Sequence, residues 1–250
     1  PHRRVTWTSA SLDEFRRIKD AFGTTVNDVV LAISAGAIRK WLIKRGSDTD
    51  GLELRAMVPV SVRTGEEEDP WTNRGSAIVA DLPTNEPDPL ERVRLCHEAM
   101  NVAKRQMDLL PADAIIELAD FSLPLVATAA MRLQSRLKLS ERMNLPFNVG
   151  SSNVPGPRQQ LYFGGAKLTN YIPVSTITDA VGLNITVHSY LDQLDFGLIA
   201  CRELVPDLWD LVDLHIDEVA RLFEATGAEW AEPQKEPSWR RGDPLHPAAP

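Results

Sequence analysis

The chain has 250 residues, of which 43% are hydrophobic, 25% charged and 6% aromatic, and its formal net charge is −8. This apolar share is typical of a globular protein and excludes a low-complexity disordered chain. Only two cysteines are present, Cys96 and Cys201, which excludes a disulfide-stapled secreted module and favours reduced, buried thiols. A pI near 5.2 disfavours nucleic acid as a partner.

No targeting or spanning segment is expected. The N-terminal residues are basic, but no apolar stretch follows them as it would in a signal peptide. The longest uncharged apolar run, residues 121–131, is shorter than the roughly 20 residues that a membrane helix needs.

The elements predicted in chain order are a mixture of helices and strands. Ser11 and Glu14 have the spacing of a capping box, for a helix that ends near Gly23, and a second helix begins around Thr25. The small residues around Gly36 suit close packing against another element. Further on we predict strands at 52–62, 76–82 and 146–154, helices at 88–110 and 112–143, an extended stretch at 161–174, a hairpin of 181–190 with 194–201, and a last helix at 207–226.

These elements lack a regular βαβ rhythm. They predict an α/β fold, a layered mixed β-sheet with flanking helices, in one domain over residues 1–227. Five prolines among polar residues predict a tail without a core at 228–250.

A self-contained catalytic set is missing from the sequence. It has no Gly-x-Ser-x-Gly elbow and no phosphate-binding glycine loop. The acidic stretch at 64–73 is interpreted as a solvated loop, and no metal site is expected, because none of the five histidines pairs at the spacing of a zinc helix. His188, near Asp195 in sequence, is a candidate general base but equally a structural residue of a strand.

Three polar positions stand out. Asn27 and Asp28 begin a helix, where they either cap it or present the Asn27 amide to an oxyanion or carbonyl. Residues 151–157 end a strand in a rigid Pro-Gly turn, which either is plain turn chemistry or crosses over to wall a channel. Asp195, at the hairpin, is either a surface residue or a brace that holds a neighbouring element by a salt bridge.

Five motifs in order resemble one family. They are TVNDVVLA (25–32), MVPVSVR (57–63), DLPT (81–84), SNVPGP (152–157) and GLNITVHSY (182–190). Together they resemble the C-terminal half of the bacterial wax ester synthase/diacylglycerol acyltransferase family, most closely its actinobacterial members. The resemblance extends over almost the whole chain before the tail.

This resemblance implies a fold and an activity. The fold is the C-terminal half of a CoA-dependent acyltransferase, similar to chloramphenicol acetyltransferase, in which two α/β halves enclose a tunnel. The family's general base lies in a His-His-x-x-x-Asp-Gly motif of the N-terminal half, and this sequence does not contain that motif. The chain is therefore expected to be inactive without its N-terminal half.

The resemblance also assigns residues. Asn27 and Asp28 match the family's Asn-Asp motif and are implied as supporting catalytic residues, with Asn27 facing the tunnel. Asn153, Gly156, Asn184 and His188 are implied to line the substrate channel. Structural roles are expected for Arg63, Asp195 and Gly197.

The implied reaction moves a fatty acyl group from acyl-CoA, as co-substrate and with no cofactor, to diacylglycerol or a long-chain alcohol. Expected partners are the N-terminal half, these substrates and a peripheral membrane or lipid-droplet surface, with a cytoplasmic location at the inner face of the membrane. A basic stretch at 131–142 is a candidate lipid-docking helix, or else the solvated end of a core helix. One alternative is a catalytically silent half that only pairs with a partner domain; a peptide-synthetase condensation domain is a weaker one.

Overall fold

A computed structural model describes residues 2–61, 75–108, 146–178 and 181–227. Four predicted features lie outside the described residues: the acidic loop at 64–73 with Arg63 beside it, the helix at 112–143, the basic stretch at 131–142 and the tail at 228–250.

A six-stranded mixed sheet forms the centre of the fold. In chain order the elements are β1 (Arg3–Ser11), α1 (Leu12–Phe22), α2 (Val26–Lys44), β2 (Leu54–Ser61), β3 (Gly75–Leu82), α3 (Pro89–Asp108), β4 (Val149–Val154), β5 (Tyr162–Phe163), β6 (Ala166–Lys167), β7 (Leu183–Tyr190), β8 (Gln193–Cys201) and α4 (Leu208–Ala225). The sheet order is β1-β8-β7-β4-β2-β3, and β5 and β6 form a separate hairpin. β4 runs parallel to β7 and β2, and the other neighbours are antiparallel, which confirms the predicted mixed sheet.

Helix α2 is the buried centre of the helical layer. All residues from Asp28 to Ile38 are buried, so the helix has no solvent face along that length. A helix that is apolar all round needs neighbours on every side, and α1, α3 and α4 supply them. Among the described residues no single helix is long and apolar enough to cross a membrane; only the α1–α2 pair, bent by 98°, reaches that hydropathy when taken together.

Helix ends follow their local sequence with one exception. Gly23 closes α1 in the left-handed conformation at φ 63°, as predicted. Thr25 and Asp28 form a complete capping box at the start of α2, and Asp88 Oδ1 accepts the Leu90 N–H at 3.0 Å ahead of α3. The predicted box at Ser11 is wrong in one half, because the Ser11 side chain makes no capping hydrogen bond; Ser11 is the last residue of β1 and pairs with β8.

The small middle of α2 makes room for a buried charge cluster. A Cβ added to Gly36 would lie 2.2 Å from Glu218 Oε2 and 2.5 Å from Arg92 Nη2. Glu218 binds Arg92 from α3 and also Lys40 at 2.7 Å and Arg221 at 2.9 Å. Burial works to raise the pKa of Glu218, but the hydrogen bond from Lys40 and the neighbouring cations outweigh it and hold the pKa below its usual value. The predicted close packing around Gly36 is therefore confirmed, with an ion cluster as its neighbour.

The β7–β8 hairpin carries a chain segment across its face. Asp195 is fully buried and accepts hydrogen bonds from Ser9 Oγ, from Asn170 Nδ2 at 3.2 Å and from the Tyr171 N–H at 2.6 Å. A Cβ on Gly197 would lie 1.7 Å from the Pro173 carbonyl oxygen. Asp195 and Gly197 thus seat the segment from Asn170 to Pro173 on the sheet. Hydrogen bonds do this. Among the described residues Asp195 forms no salt bridge, and its burial excludes the alternative of a surface residue.

The two cysteines differ in environment. Cys96 is buried in α3, and burial raises the pKa of its thiol well above the usual range. Cys201 is only partly buried and donates to Glu203 Oε2 at 3.2 Å, so the expectation of burial is wrong for this residue. Both thiols are free.

Candidate functional site

An open groove of about 580 Å³ lies beside the start of α2. We call it the α1 groove, because α1 forms one wall and the ends of β4 and β7 form the other. Its lining consists of Leu12, Arg16, Lys19, Val26, Asn153, Pro155, Gly156, Arg158, Ser189, Leu191, Asp192 and Leu194. Apolar residues of α1, α2 and the β7–β8 turn contribute to the lining together with three cations and one carboxylate.

Asn27 follows the groove residue Val26 in the first turn of α2. The side chain is half-buried and makes no hydrogen bond with a described residue. The first turn of a helix carries unpaired N–H groups and the positive end of the macrodipole, which favour negative charge. The Asn27 amide is therefore a free donor beside a groove, in a field suited to an oxyanion.

Asp28 is held on several sides. Its carboxylate Oδ2 accepts the Thr25 N–H at 2.9 Å and His97 Nδ1 at 2.8 Å, and its own N–H donates to Thr25 Oγ1 at 3.3 Å. The residue is 1% exposed. These bonds favour a holding role at the helix start over direct contact with a substrate.

His97 links α3 to this helix start. Its Nε2 lies 3.0 Å from Asn101 Nδ2, and its Nδ1 faces the Asp28 carboxylate. Because a carboxylate only accepts and the amide nitrogen only donates, the pairing assigns the ring proton to Nδ1. The sequence alone does not indicate a role for His97, because one partner lies 69 positions before it; only the other, 4 positions after it, is at a helical spacing.

The four predicted channel residues separate into two groups. Asn153 and Gly156 line the α1 groove. His188 lies beside it: a Cβ on Gly156 would be 2.2 Å from His188 Cε1, and the His188 ring packs on Tyr171 with centroids 4.2 Å apart. His188 also pairs directly opposite Asp195 in the sheet, but the two side chains form no hydrogen bond.

Asn184 lies on β7, away from the groove lining. Its Oδ1 accepts the Thr186 hydroxyl at 2.8 Å, and its Nδ2 would be 2.4 Å from a Cβ on Gly150. Both polar residues are buried. The structure therefore does not bring Asn184 together with Asn153 and Gly156.

The groove cations were also missed in the sequence. Arg16, Lys19 and Arg158 look like ordinary surface residues, and only the fold places α1 opposite the end of β4. No group of three or more metal-ligating side chains lies together in the described part of the chain.

Solved structures share this fold. The epimerization domain of the third module of tyrocidine synthetase B matches 91% of this chain and 49% of its own at a TM-score of 0.52, with 14% identity, which shows the fold alone. A wax ester synthase/diacylglycerol acyltransferase from Marinobacter aquaeolei VT8 matches 90% of this chain and 50% of its own at a TM-score of 0.71, with 34% identity. The chain thus has the chloramphenicol acetyltransferase-like fold of CoA-dependent acyltransferases, which confirms the predicted fold class.

The sequence defines the family within that class. The WS/DGAT C-terminal domain matches residues 71–222, more than half of the chain, and the chain belongs to this family. It is 37% identical over 227 residues to the O-acyltransferase WSD of Acinetobacter baylyi, covering 91% of this chain and 47% of that protein. It is 38% identical over 225 residues to the probable diacylglycerol O-acyltransferase tgs2 of Mycobacterium tuberculosis, covering 90% and 48%. The chain spans about half the length of these relatives.

Proposed function

We propose that this chain forms one half of an O-acyltransferase that moves a fatty acyl group from acyl-CoA to diacylglycerol or a long-chain alcohol. Membership of the WS/DGAT C-terminal domain family supports the reaction class. The observation that carries the proposal for this chain is the half-buried Asn27 amide, unpaired among the described residues, next to the α1 groove.

The proposed reaction transfers an acyl group from a thioester to a hydroxyl group, which gives an oxygen ester. A general base takes the proton of the acceptor hydroxyl, and the oxygen attacks the thioester carbonyl carbon. The tetrahedral intermediate carries its negative charge on the former carbonyl oxygen. It collapses by breaking the C–S bond, and the leaving thiolate takes up the proton, so that an oxygen ester and free CoA result.

In this scheme the Asn27 amide donates to the oxyanion. The donor acts in a half-buried position, where a hydrogen bond to developing charge is stronger than in water, and the α2 dipole adds to it. Asp28 supports this role indirectly, since its bonds to Thr25 and His97 fix the first turn of α2.

The general base is proposed to come from the other half. The family resemblance implies a His-His-x-x-x-Asp-Gly motif there, and this sequence has no adjacent histidines. Both the α1 groove and Asn27 would then face a tunnel that the two halves share.

A catalytically silent pairing half is the second candidate. It requires a surface for a partner, and an exposed apolar segment around the β5–β6 hairpin offers one: Phe163 is 88% exposed, Tyr162 66% and Val174 63%. Apolar surface of this kind marks an interface with a partner. A partner half would cover it under either candidate, so only activity distinguishes them.

We also propose a cytoplasmic location at the inner face of the membrane or on lipid droplets, since both acceptors partition into lipid. Flotation of the full-length protein with liposomes tests this. Association that depends on anionic lipid and on the arginines of residues 131–142 is expected, and its absence would refute the proposal.

The proposed function is tested by transfer of a labelled acyl group from acyl-CoA. The full-length protein that carries this chain is assayed with diacylglycerol and with a long-chain alcohol as acceptors. We expect turnover, and we expect Asn27→Ala to lower kcat roughly 10²–10³-fold, the usual effect of removing one oxyanion donor. Asn27→Asp keeps the shape and suits the helix start but removes the donor, so a similar loss is expected.

Asn85→Ala is the matched control. Asn85 is exposed, and only its backbone carbonyl is used in a described hydrogen bond, from Arg39. Full activity of both Asn27 variants would show that Asn27 has no catalytic role and serves only as a residue of the helix. Absence of transfer by the unmodified protein with either acceptor would favour the silent half.

A further inference from the structure

The charges at the rim of the α1 groove oppose the charge of the whole chain. Arg16, Lys19 and Arg158 line the groove against one carboxylate, Asp192, whereas the chain carries a net charge of −8. A local basic cluster concentrates anions at its place even in an acidic protein.

The three cations are not equally engaged. Arg16 lies 2.9 Å from Asp13, and Lys19 is paired with Asp20. Both partner carboxylates are largely exposed, so these pairs are weak and cost little to exchange for another anion. Arg158 is exposed and forms no salt bridge with a described residue, which makes it the most available cation of the rim.

The interior of the groove has the opposite character. Leu12 and Leu194 are 8% and 1% exposed, and Val26 and Leu191 lie with them along the groove. An apolar floor below a basic rim is complementary to an elongated molecule with an anionic end and an apolar or weakly polar body.

We propose that the rim formed by Arg16, Lys19 and Arg158 binds the phosphate groups of the acyl donor. The inference rests on the proposed function and decides between its two substrates. Diacylglycerol and a long-chain alcohol carry no charge, whereas acyl-CoA carries several phosphate charges at the end remote from the thioester. Only the donor therefore gains from a basic rim. Because Val26 lies in the groove next to Asn27, a donor held there by its phosphates extends toward the start of α2.

The test compares two donors within each variant of the full-length protein. One donor is a long-chain acyl-CoA, and the other is the same acyl group on N-acetylcysteamine, a thioester without phosphates. We expect Arg158→Glu to lower the ratio of kcat/KM for the CoA thioester to kcat/KM for the phosphate-free thioester roughly tenfold to hundredfold, as for loss of a charge-assisted contact. Arg16→Glu should lower it less, because Arg16 already shares its charge with Asp13.

A ratio measured within one variant cancels any change in the folded fraction. Arg17→Glu is the matched control, since Arg17 is exposed on the same helix and does not line the groove. Asp192→Asn removes the one carboxylate of the lining and should raise the ratio severalfold. An unchanged ratio in Arg158→Glu, or an equal fall in Arg17→Glu, would overturn the inference.

Binding of coenzyme A alone, measured by titration calorimetry, separates this inference from the proposed function. If the protein had no transferase activity but bound coenzyme A, and this binding weakened in Arg158→Glu, the phosphate-binding rim would be supported and the proposed acyl transfer refuted. Acyl transfer that does not depend on the rim residues would support the proposed function and overturn the inference about the rim. Binding to phosphatidylglycerol vesicles in place of coenzyme A, lost in the same variants, would assign the rim to a lipid surface and overturn the inference.

Discussion

His215 makes the stability of the fold depend on pH. It is fully buried in α4, donates from Nδ1 to the Leu211 carbonyl oxygen at 2.7 Å, and its Nε2 has no partner among the described residues. The ring and that of Phe196 form a T-shaped pair with 6.2 Å between centroids. Burial lowers the pKa of His215 to about 4, because the charged imidazolium would lose its hydration without gaining a counter-ion in contact.

The direction of the pH effect follows from proton uptake. In the unfolded chain His215 titrates near its ordinary pKa of 6.5, whereas in the folded chain it stays neutral down to about 4. Between these values the unfolded state binds a proton that the folded state does not, so stability falls as the pH falls through that window. From pH 7.5 to pH 5 this amounts to about 2 kcal/mol.

The perturbation is His215→Leu, which keeps the apolar packing and removes both the titrating group and the unpaired Nε2. The pH dependence of stability between pH 7.5 and pH 5 should become shallower by about 2 kcal/mol in the variant. Stability should also not decrease at pH 7.5, because leaving a buried polar atom unpaired costs free energy.

The assay is native-state hydrogen exchange of the α4 amides in the full-length protein, corrected for the intrinsic exchange rate at each pH. A loss of about 2 kcal/mol appears as a roughly thirtyfold fall in protection at pH 5 in the unmodified protein. His2→Gln, at an exposed histidine, is the control for loss of a titratable ring. Parallel pH curves for the unmodified protein and His215→Leu would show that His215 does not cause the pH dependence.

Two further pairs of substitutions test the helical layer. His97→Leu leaves the Asp28 carboxylate without one of its two donors, so hydrogen exchange of the first-turn amides of α2 should accelerate roughly tenfold to hundredfold. His97→Gln should recover part of the protection. Unchanged exchange would show that the capping box alone holds the first turn. Glu218→Met leaves the buried Arg92 without a carboxylate and should destabilise the fold by about 3–5 kcal/mol, measured by thermal unfolding. Arg92→Met should destabilise it less, because Lys40 still neutralises Glu218. Equal losses of stability in the two variants would contradict this expectation.

Local signals in the sequence predict the helices and the central strands well. Helix ends are set by bonds within a few residues, at Gly23, at the Thr25–Asp28 capping box and at Asp88. The two strands of the β7–β8 hairpin show alternating hydrophobicity on either side of a short turn. The edge strand β1 was missed, because its partner β8 is nearly 200 positions away and its own sequence is polar.

The candidate site is less visible in the sequence than the fold. Asn27 was identified by family resemblance and by its place at a helix start. No local sequence pattern identifies His97 or Arg158, because the neighbours that define the role of each are distant in sequence and are brought together by the fold. For Asp195 the sequence left open a surface position or a salt bridge. Neither describes it, because its neighbours in the fold are an amide, a hydroxyl and a backbone N–H.

The two tight glycines affect how a saturation mutagenesis of this chain should be interpreted. A Cβ would meet a backbone carbonyl oxygen at 1.9 Å from Gly156 and at 1.7 Å from Gly197, and a backbone atom cannot rotate away as a side chain can. Every substitution at either position should therefore be depleted under selection, regardless of its chemistry. Gly156 borders the α1 groove, so its intolerance would resemble that of a residue needed for turnover. Evidence of catalysis would come instead from an isosteric exchange, such as Asn27→Asp, that lowers turnover and leaves the fold intact.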